Sequence, residues 1–257
     1  MSKHSAACCT IPPVVTEGYK GKGKYIEADG LKCYTTGPST AKTAILVIYD
    51  IFGYFPQTIQ GADILAHADK EHQYQVFMPD FFDGKPADIS WYPPDTKEKG
   101  EKLGNFFSTT AAPPKAVERL PKILKSIQSS SPNIESWGVV GFCWGGKIVS
   151  LTSGAGTPFK AGAQAHPAMV DAEDAKKVTI PMAMLASKDE PADDVKAFKE
   201  NLSVKNHVET FSDQIHGWMA ARGDLNDPKV KSEYERGYQA LLTFFHEHLP
   251  ESASSKI

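Results

Sequence analysis

The sequence predicts one α/β domain in which helices cover both faces of a mostly parallel β-sheet. Short runs of consecutive apolar residues, typical of strands buried on both faces, alternate along the chain with segments whose apolar residues recur at helical spacing. At one junction between such a strand and a helix, the sequence Gly-x-Cys-x-Gly is typical of a very tight turn at the edge of the sheet. The chain has 257 residues, of which 41% are hydrophobic, so we expect residues 1–257 to form a single domain.

The N-terminal part predicts an arm, a hairpin and the first strands of the sheet. Residues 1–23 contain Pro12 and Pro13 and predict an irregular arm. Asp29-Gly30 is a strong two-residue turn signal between strands expected at 25–28 and 33–36. Apolar residues then predict buried strands at 44–48 and 76–78, with a helix over 59–66 between them.

Residues 81–113 differ in composition, because aromatic side chains alternate there with proline and glycine. Such a long irregular stretch is unusual inside a domain and is usually functional. It predicts a lid or the wall of a pocket. A linker is the alternative, although linkers are poorer in aromatic residues.

The C-terminal part continues the alternation of helices and strands. An amphipathic helix is predicted over 117–127, and the tight turn lies between a strand at 137–140 and a helix at 147–151. Further strands are expected at 161–165, 182–185 and 208–211, and further helices at 195–202 and 234–245.

Charge and composition exclude several classes of protein. The net charge of −3 and the scattered Lys and Arg residues give no basic surface for nucleic acid, and no apolar run predicts a membrane span or a signal peptide. The adjacent Cys8 and Cys9 do not indicate a disulfide framework or a zinc pattern, so we expect reduced thiols, no metal and a cytoplasmic protein. The final Ser255-Lys256-Ile257 is either a polar tail or a peroxisomal address, differing by one conservative change from Ser-Lys-Leu.

Cys143 is the candidate nucleophile. It lies in Gly141-Phe142-Cys143-Trp144-Gly145, where glycine at both flanking positions avoids a clash with neighbouring backbone. The turn points the thiol out of the sheet, and the N-terminus of the next helix favours thiolate there. The alternative is an inert buried cysteine beside a glycine-rich turn.

A thiol nucleophile needs a base and an acid that orients the base. His216 follows the strand at 208–211 after a short loop, as a catalytic histidine should. Asp189 follows the strand at 182–185 and is the predicted acid; its rivals on the same loop are Glu190, Asp193 and Asp194. The backbone N–H groups of Trp144 and Ile51 are the predicted oxyanion donors.

These motifs occur in the order found in the dienelactone hydrolase family, which the chain resembles from about Gly30 to the terminal helix. The shared segments are Gly141 to Gly146, Asp50-Ile51-Phe52-Gly53, Pro79-Asp80, Asp189 and His216-Gly217-Trp218. The resemblance implies a cofactor-free α/β hydrolase that opens enol lactones and small esters, with Cys143, Asp189 and His216 as its triad. Asp50 stands where the family prototype has a Glu that contacts the resting thiol, and is one methylene shorter.

Several further residues are candidates for contact with a small-molecule substrate. The prototype holds a substrate carboxylate with arginine, and Arg222 follows His216 closely enough to take that role. His166 ends the strand after the Cys143 turn. The remaining candidates are Phe52, Trp91 and Trp218.

The sequence therefore predicts that the protein hydrolyses esters or lactones. We expect it to be a monomer or a homodimer. A thioesterase or peptidase on the same fold remains an alternative. So does a non-catalytic protein that uses Cys143 for redox sensing or binding.

Overall fold

The computed structural model describes residues 11–249, in which eight strands form one sheet. The strands and helices follow one another in the order β1 (Lys24–Ala28), β2 (Leu31–Thr36), β3 (Thr43–Ile48), α1 (Pro56–His67), β4 (Tyr74–Pro79), α2 (Lys97–Ser108), α3 (Pro113–Ser130), β5 (Ser136–Phe142), α4 (Trp144–Thr152), β6 (Phe159–Ala165), α5 (Ala172–Ala175), β7 (Met182–Ser187), α6 (Ala192–Asn201), β8 (Asn206–Phe211) and α7 (Pro228–His248). A 3-10 turn (Ile89–Trp91) precedes α2. The predicted α/β class is confirmed.

The strand order across the sheet is β1-β2-β4-β3-β5-β6-β7-β8. β2 pairs antiparallel with both β1 and β4, and the strands from β4 to β8 pair parallel. All residues of β3 and β7 are buried, which explains their continuous apolar sequences. Because the carboxyl ends of parallel strands share one edge, the segments after β3, β5, β6, β7 and β8 converge there.

Helices pack on both faces of this sheet, as predicted. α1 packs against α7, and α3 packs against α4. The contact between α1 and α7 is close because a side-chain carbon at Gly61 would overlap the Tyr238 hydroxyl. This packing fixes the strands and therefore the relative positions of the loops at their carboxyl ends.

The lid segment contains a helix, α2, that the sequence analysis did not predict. Thr96 caps its first turn by accepting a hydrogen bond from the Lys99 N–H group. Ion pairs at i,i+4 spacing follow its exposed side, between Lys97 and Glu101 and between Glu98 and Lys102. Gly100 and Gly104 concealed the helix in the sequence, although the cap and the charge spacing indicate it.

The described part of the N-terminal arm is irregular, as predicted, and is fixed to α1. Gln60 exchanges two hydrogen bonds with the backbone of Val15, and Asp63 accepts hydrogen bonds from Tyr19 and Tyr34. Cys8, Cys9 and the final Ser255-Lys256-Ile257 lie outside the described residues. No helix between residues 11 and 249 is long and apolar enough to cross a bilayer.

Candidate active site

Cys143 lies in a strained turn between β5 and α4. Its backbone has φ 52° and ψ −112°, which are unusual for a residue with a side chain. A side-chain carbon at Gly141 would overlap the backbone of Gly145, and one at Gly145 would overlap the Ile48 carbonyl. The two glycines are therefore required by close approach of the backbone, as the sequence analysis predicted.

Cys143 and His216 line one cavity of about 380 Å³ at the carboxyl edge of the sheet. Its wall is mostly apolar, and the lid contributes Tyr92, Leu103 and Phe107. The lid also packs against the turn that contains Cys143. The centres of the Trp144 and Phe82 rings are 4.8 Å apart, and the Trp144 indole N–H donates a hydrogen bond to the Ala111 carbonyl at 2.8 Å. Residues 81–113 thus form a wall of this cavity.

The His216 imidazole lies between a sulfur and a carboxylate. Its Nδ1 is 2.6 Å from Oε1 of Glu190, and the ring lines the same cavity as Cys143, whose sulfur is near enough to act on it electrostatically. Burial alone would lower the pKa of His216, but the neighbouring Cys143 sulfur and the Glu190 carboxylate raise it to about 11. The surroundings of His216 therefore favour an imidazolium in the cavity that also contains the Cys143 thiol.

Glu190, rather than the predicted Asp189, contacts the imidazole. The Glu190 side chain is 3% exposed and also accepts hydrogen bonds from the N–H and hydroxyl groups of Ser187. The Asp189 carboxylate instead accepts the backbone N–H of His216 at 2.8 Å. The loop after β7 turns between these two adjacent residues, so that one carboxylate meets the ring and the other meets the main chain. The other rivals, Asp193 and Asp194, lie in the first turn of α6, where they complement the helix dipole.

The predicted oxyanion donors lie beside Cys143. Ile51 lines the cavity with Cys143, and Trp144 follows Cys143 directly. Within residues 11–249, neither of the two backbone N–H groups donates to a protein acceptor. N–H groups without a protein acceptor beside a thiol are what an oxyanion hole requires.

Asp50 lines the same cavity but is held by the backbone. Its two carboxylate oxygens accept the N–H groups of Phe52 at 2.9 Å and Ala221 at 3.2 Å. Burial raises the pKa of Asp50 to about 6, although these N–H groups and His216 partly oppose the shift. Asp50 thereby joins the loop after β3 to the loop that carries His216, and it lines the cavity that contains the Cys143 thiol.

Of the predicted substrate contacts, only Arg222 and Phe52 line the cavity. The Arg222 guanidinium lies 4.3 Å from the centre of the Tyr92 ring and donates to the His216 carbonyl. Trp91 lies against Phe106 behind the wall, and Trp218 is fully buried against Phe211. His166 is also fully buried and contacts the His216 ring instead of the cavity. Trp91, Trp218 and His166 were predicted to contact substrate, but none of the three lines the cavity.

One cluster among the described residues has ligand types suited to a metal ion, and it lies outside the cavity. Donor atoms of Asp69, His72 and His246 lie within 4.8 Å of one another. The Asp69 carboxylate already accepts the His72 N–H at 2.9 Å and contacts His246 Nδ1 at 2.6 Å, and the two imidazole rings stack in parallel at 3.9 Å. These contacts join α7 to the loop before β4, which accounts for the cluster as a structural link.

The profile of the dienelactone hydrolase family matches residues 31–249. An uncharacterised AIM2 family protein of Schizosaccharomyces pombe is 39% identical, over 93% of this chain and 98% of the relative. A carboxymethylenebutenolidase homologue of Homo sapiens is 27% identical, over 90% of this chain and 93% of the relative.

Solved structures of low identity share the fold. A dienelactone hydrolase from Anabaena variabilis has a TM-score of 0.62 at 11% identity and covers 89% of this chain and 98% of its own. An acylaminoacyl peptidase from Pyrococcus horikoshii has a TM-score of 0.63 at 13% identity, covering 93% of this chain and 43% of its own. Since such folds carry different hydrolytic activities, the chemistry must be argued from the site.

Proposed function

Because the chain belongs to the dienelactone hydrolase family, we propose that it hydrolyses small carboxylic esters or enol lactones through a thioester on Cys143. One observation carries this proposal: a cysteine in a strained turn lines the same cavity as a histidine whose Nδ1 meets a buried carboxylate. A nucleophile, a base and a group that orients the base are the components of acyl transfer through a covalent intermediate.

In the first half of the reaction, Cys143 is acylated. With the proton on His216, the thiolate attacks the carbonyl carbon, and the carbonyl electron pair moves to oxygen. The N–H groups of Ile51 and Trp144 stabilise the negative charge on that oxygen. The tetrahedral intermediate then collapses, the C–O bond to the leaving group breaks, and the imidazolium protonates the departing alkoxide or enolate.

In the second half, the thioester is hydrolysed. Neutral His216 removes a proton from water, and the resulting hydroxide attacks the thioester carbonyl. Collapse of this second intermediate breaks the C–S bond, releases the carboxylic acid and leaves the Cys143 thiolate beside the imidazolium that took the proton from water. Glu190 holds Nδ1 of His216 throughout, which leaves the other ring nitrogen facing the sulfur.

The cavity limits which substrates fit. A volume of about 380 Å³ lies near the lower end of the range for small-molecule sites. The apolar wall favours a compact acyl or lactone group, and the Arg222 guanidinium at the rim favours a substrate that also carries an anionic group. No metal or cofactor is required in this mechanism.

The experiment measures turnover of an aryl ester, an enol lactone, a thioester and an aminoacyl peptide by wild type and by Cys143→Ala. We expect wild type to turn over the ester and lactone fastest and Cys143→Ala to fall to background. Cys33→Ala is the matched control, because Cys33 is a fully buried thiol away from the cavity, and burial raises its pKa to about 12. Unchanged turnover in folded Cys143→Ala would refute the proposal, and preferred cleavage of thioesters or peptides would replace its substrate class.

A further inference from the structure

His166 is an unexplained buried imidazole beside the candidate active site. It directly follows β6 and is 0% exposed, with a left-handed backbone at φ 38°. Among the described residues, neither of its ring nitrogens has a hydrogen-bond partner on another residue. Both features are destabilising, because a buried polar atom without a partner loses the hydrogen bonds it makes with water in the unfolded chain, and non-glycine residues rarely adopt this backbone.

The His166 ring packs against the base of the proposed reaction. Its centre lies 5.3 Å from the centre of the His216 ring, with 68° between the two planes. The centre of the Phe142 ring lies 5.9 Å from that of the His166 ring, with 44° between the planes. Aromatic rings prefer edge-to-face contacts such as that between His166 and His216, so this contact favours one orientation of the His216 ring.

The electrostatic surroundings keep His166 uncharged. Burial, followed by the positive charges of His216 and Arg222, holds the pKa of His166 well below its usual value. A neutral ring can lie against the His216 imidazolium without charge repulsion. A second imidazolium at this distance would compete with that charge.

The segment that carries His166 is also bonded to the nucleophile turn. The Cys143 N–H donates to the Ala165 carbonyl at 3.1 Å, and the Ala168 N–H donates to the Cys143 carbonyl at 2.9 Å. The His166 N–H in turn donates to the Leu185 carbonyl of β7 at 2.7 Å. A few consecutive residues therefore hold the backbone of the nucleophile and the ring of the base.

We propose that His166 is a positioning residue, whose neutral imidazole fixes the rotation of the His216 ring so that it meets Cys143 and Glu190 together. This inference rests on the proposed function for its catalytic meaning. It has a separate readout in the reactivity of the Cys143 thiol, which depends on the position of His216 whether or not an ester is turned over.

The test compares His166→Leu with Phe159→Leu. Leucine fills most of the volume without a planar ring, and it removes the two unpartnered nitrogens. Phe159 is a buried aromatic residue at the opposite end of the same strand, so its variant controls for lost aromatic packing. Alkylation of Cys143 by iodoacetamide is followed from pH 6 to pH 10 by peptide mass spectrometry, together with kcat and KM for an aryl ester.

In His166→Leu, we expect kcat and the alkylation rate at pH 6 to fall about 10- to 100-fold, the loss typical of a misplaced catalytic group. KM should change little, and the alkylation deficit should shrink towards pH 10, where hydroxide removes the thiol proton without help. Phe159→Leu should keep the wild-type pH profile. His166→Phe, which restores an aromatic ring, should recover part of the rate.

The proposal is overturned if folded His166→Leu keeps the wild-type kcat and alkylation profile. It is also overturned if kcat and the alkylation rate of Cys143 fall by the same factor at every pH, because a uniform loss indicates that less protein is folded. Should His166→Leu misfold, a wild-type profile in His166→Ala or a fully inactive, folded His166→Phe would overturn it as well. If wild type hydrolyses no ester, the proposed function fails, yet the alkylation profiles still decide the role of His166.

Discussion

The choice between two adjacent carboxylates gives the sharpest mutational test of the site. In Glu190→Gln, an amide replaces a carboxylate that is 3% exposed and contacts His216 Nδ1 at 2.6 Å. If the amide oxygen still accepts a hydrogen bond from the His216 ring, the NH₂ group takes the place of the oxygen that accepts from the Ser187 N–H. Two donors then face each other. If the NH₂ group faces the ring, His216 must carry its proton on the nitrogen that should receive the thiol proton.

The expected loss follows from the histidine tautomer that the amide allows. In a Ser-His-Asp triad, the same acid-to-amide change lowers kcat by about 10⁴-fold because the histidine takes the wrong tautomer, which corresponds to about 5 kcal/mol of activation free energy. In Asp189→Asn, by contrast, the amide oxygen can still accept the His216 backbone N–H. The lost charge there weakens one hydrogen bond by about 1 kcal/mol, or less than about tenfold in rate.

The assay measures kcat/KM for a chromogenic aryl ester in both variants, with thermal unfolding and circular dichroism as controls for folding. We expect Glu190→Gln to lose far more activity than Asp189→Asn at comparable folded fractions. The opposite ranking would mean that Asp189 orients His216 during turnover, as the sequence alone suggested, and the assignment of Glu190 would then be wrong.

Two further predictions concern stability and the nucleophile turn. Burial raises the pKa of Asp50 from 3.8 to about 6, so the native state binds this proton more tightly than the unfolded chain does. The protonated carboxyl therefore stabilises the fold. This stabilisation is fully present below about pH 3.8 and is lost as the pH rises through about 6. Relative to Asp50→Asn, the wild-type free energy of unfolding should therefore fall by about 3 kcal/mol between pH 3.8 and pH 7 in urea titrations, whereas a constant difference would contradict the burial of an ionisable Asp50. Gly145→Ala should abolish turnover and lower the melting temperature, because the added carbon overlaps the Ile48 carbonyl. Gly104→Ala, on the exposed face of α2, should be tolerated or stabilising. An active, stable Gly145→Ala enzyme would show that the turn is less tight than described.

The parts of the fold that follow simple periodicities were predictable from the sequence. Continuous apolar runs located β3 and β7 because their residues are buried on both faces. The glycines around Cys143 identified the turn because only the backbone's own close approach requires them. His216 was identifiable because it follows the last strand of the sheet after a short loop.

Other features depend on side-chain direction, which one sequence does not specify. Asp189 and Glu190 are adjacent, and only the path of the loop decides which of them meets the imidazole. The hydrogen bonds of Asp50 to two distant backbone groups likewise need the folded chain. Trp218 illustrates the converse error, because its place beside His216 in the sequence suggested a substrate contact, whereas its ring points into the core.

The most direct measurement of the mechanism is the mass of the acyl-enzyme. Wild-type protein is mixed with an activated ester, quenched in acid within milliseconds to seconds, and digested for peptide mass spectrometry. We predict a transient acyl group on the peptide that contains Cys143, which disappears as product forms and is cleaved by hydroxylamine as a thioester should be. Ester turnover with no acyl group on Cys143 at any quench time, or with the acyl group on another residue, would contradict the assignment of this sulfur as the nucleophile.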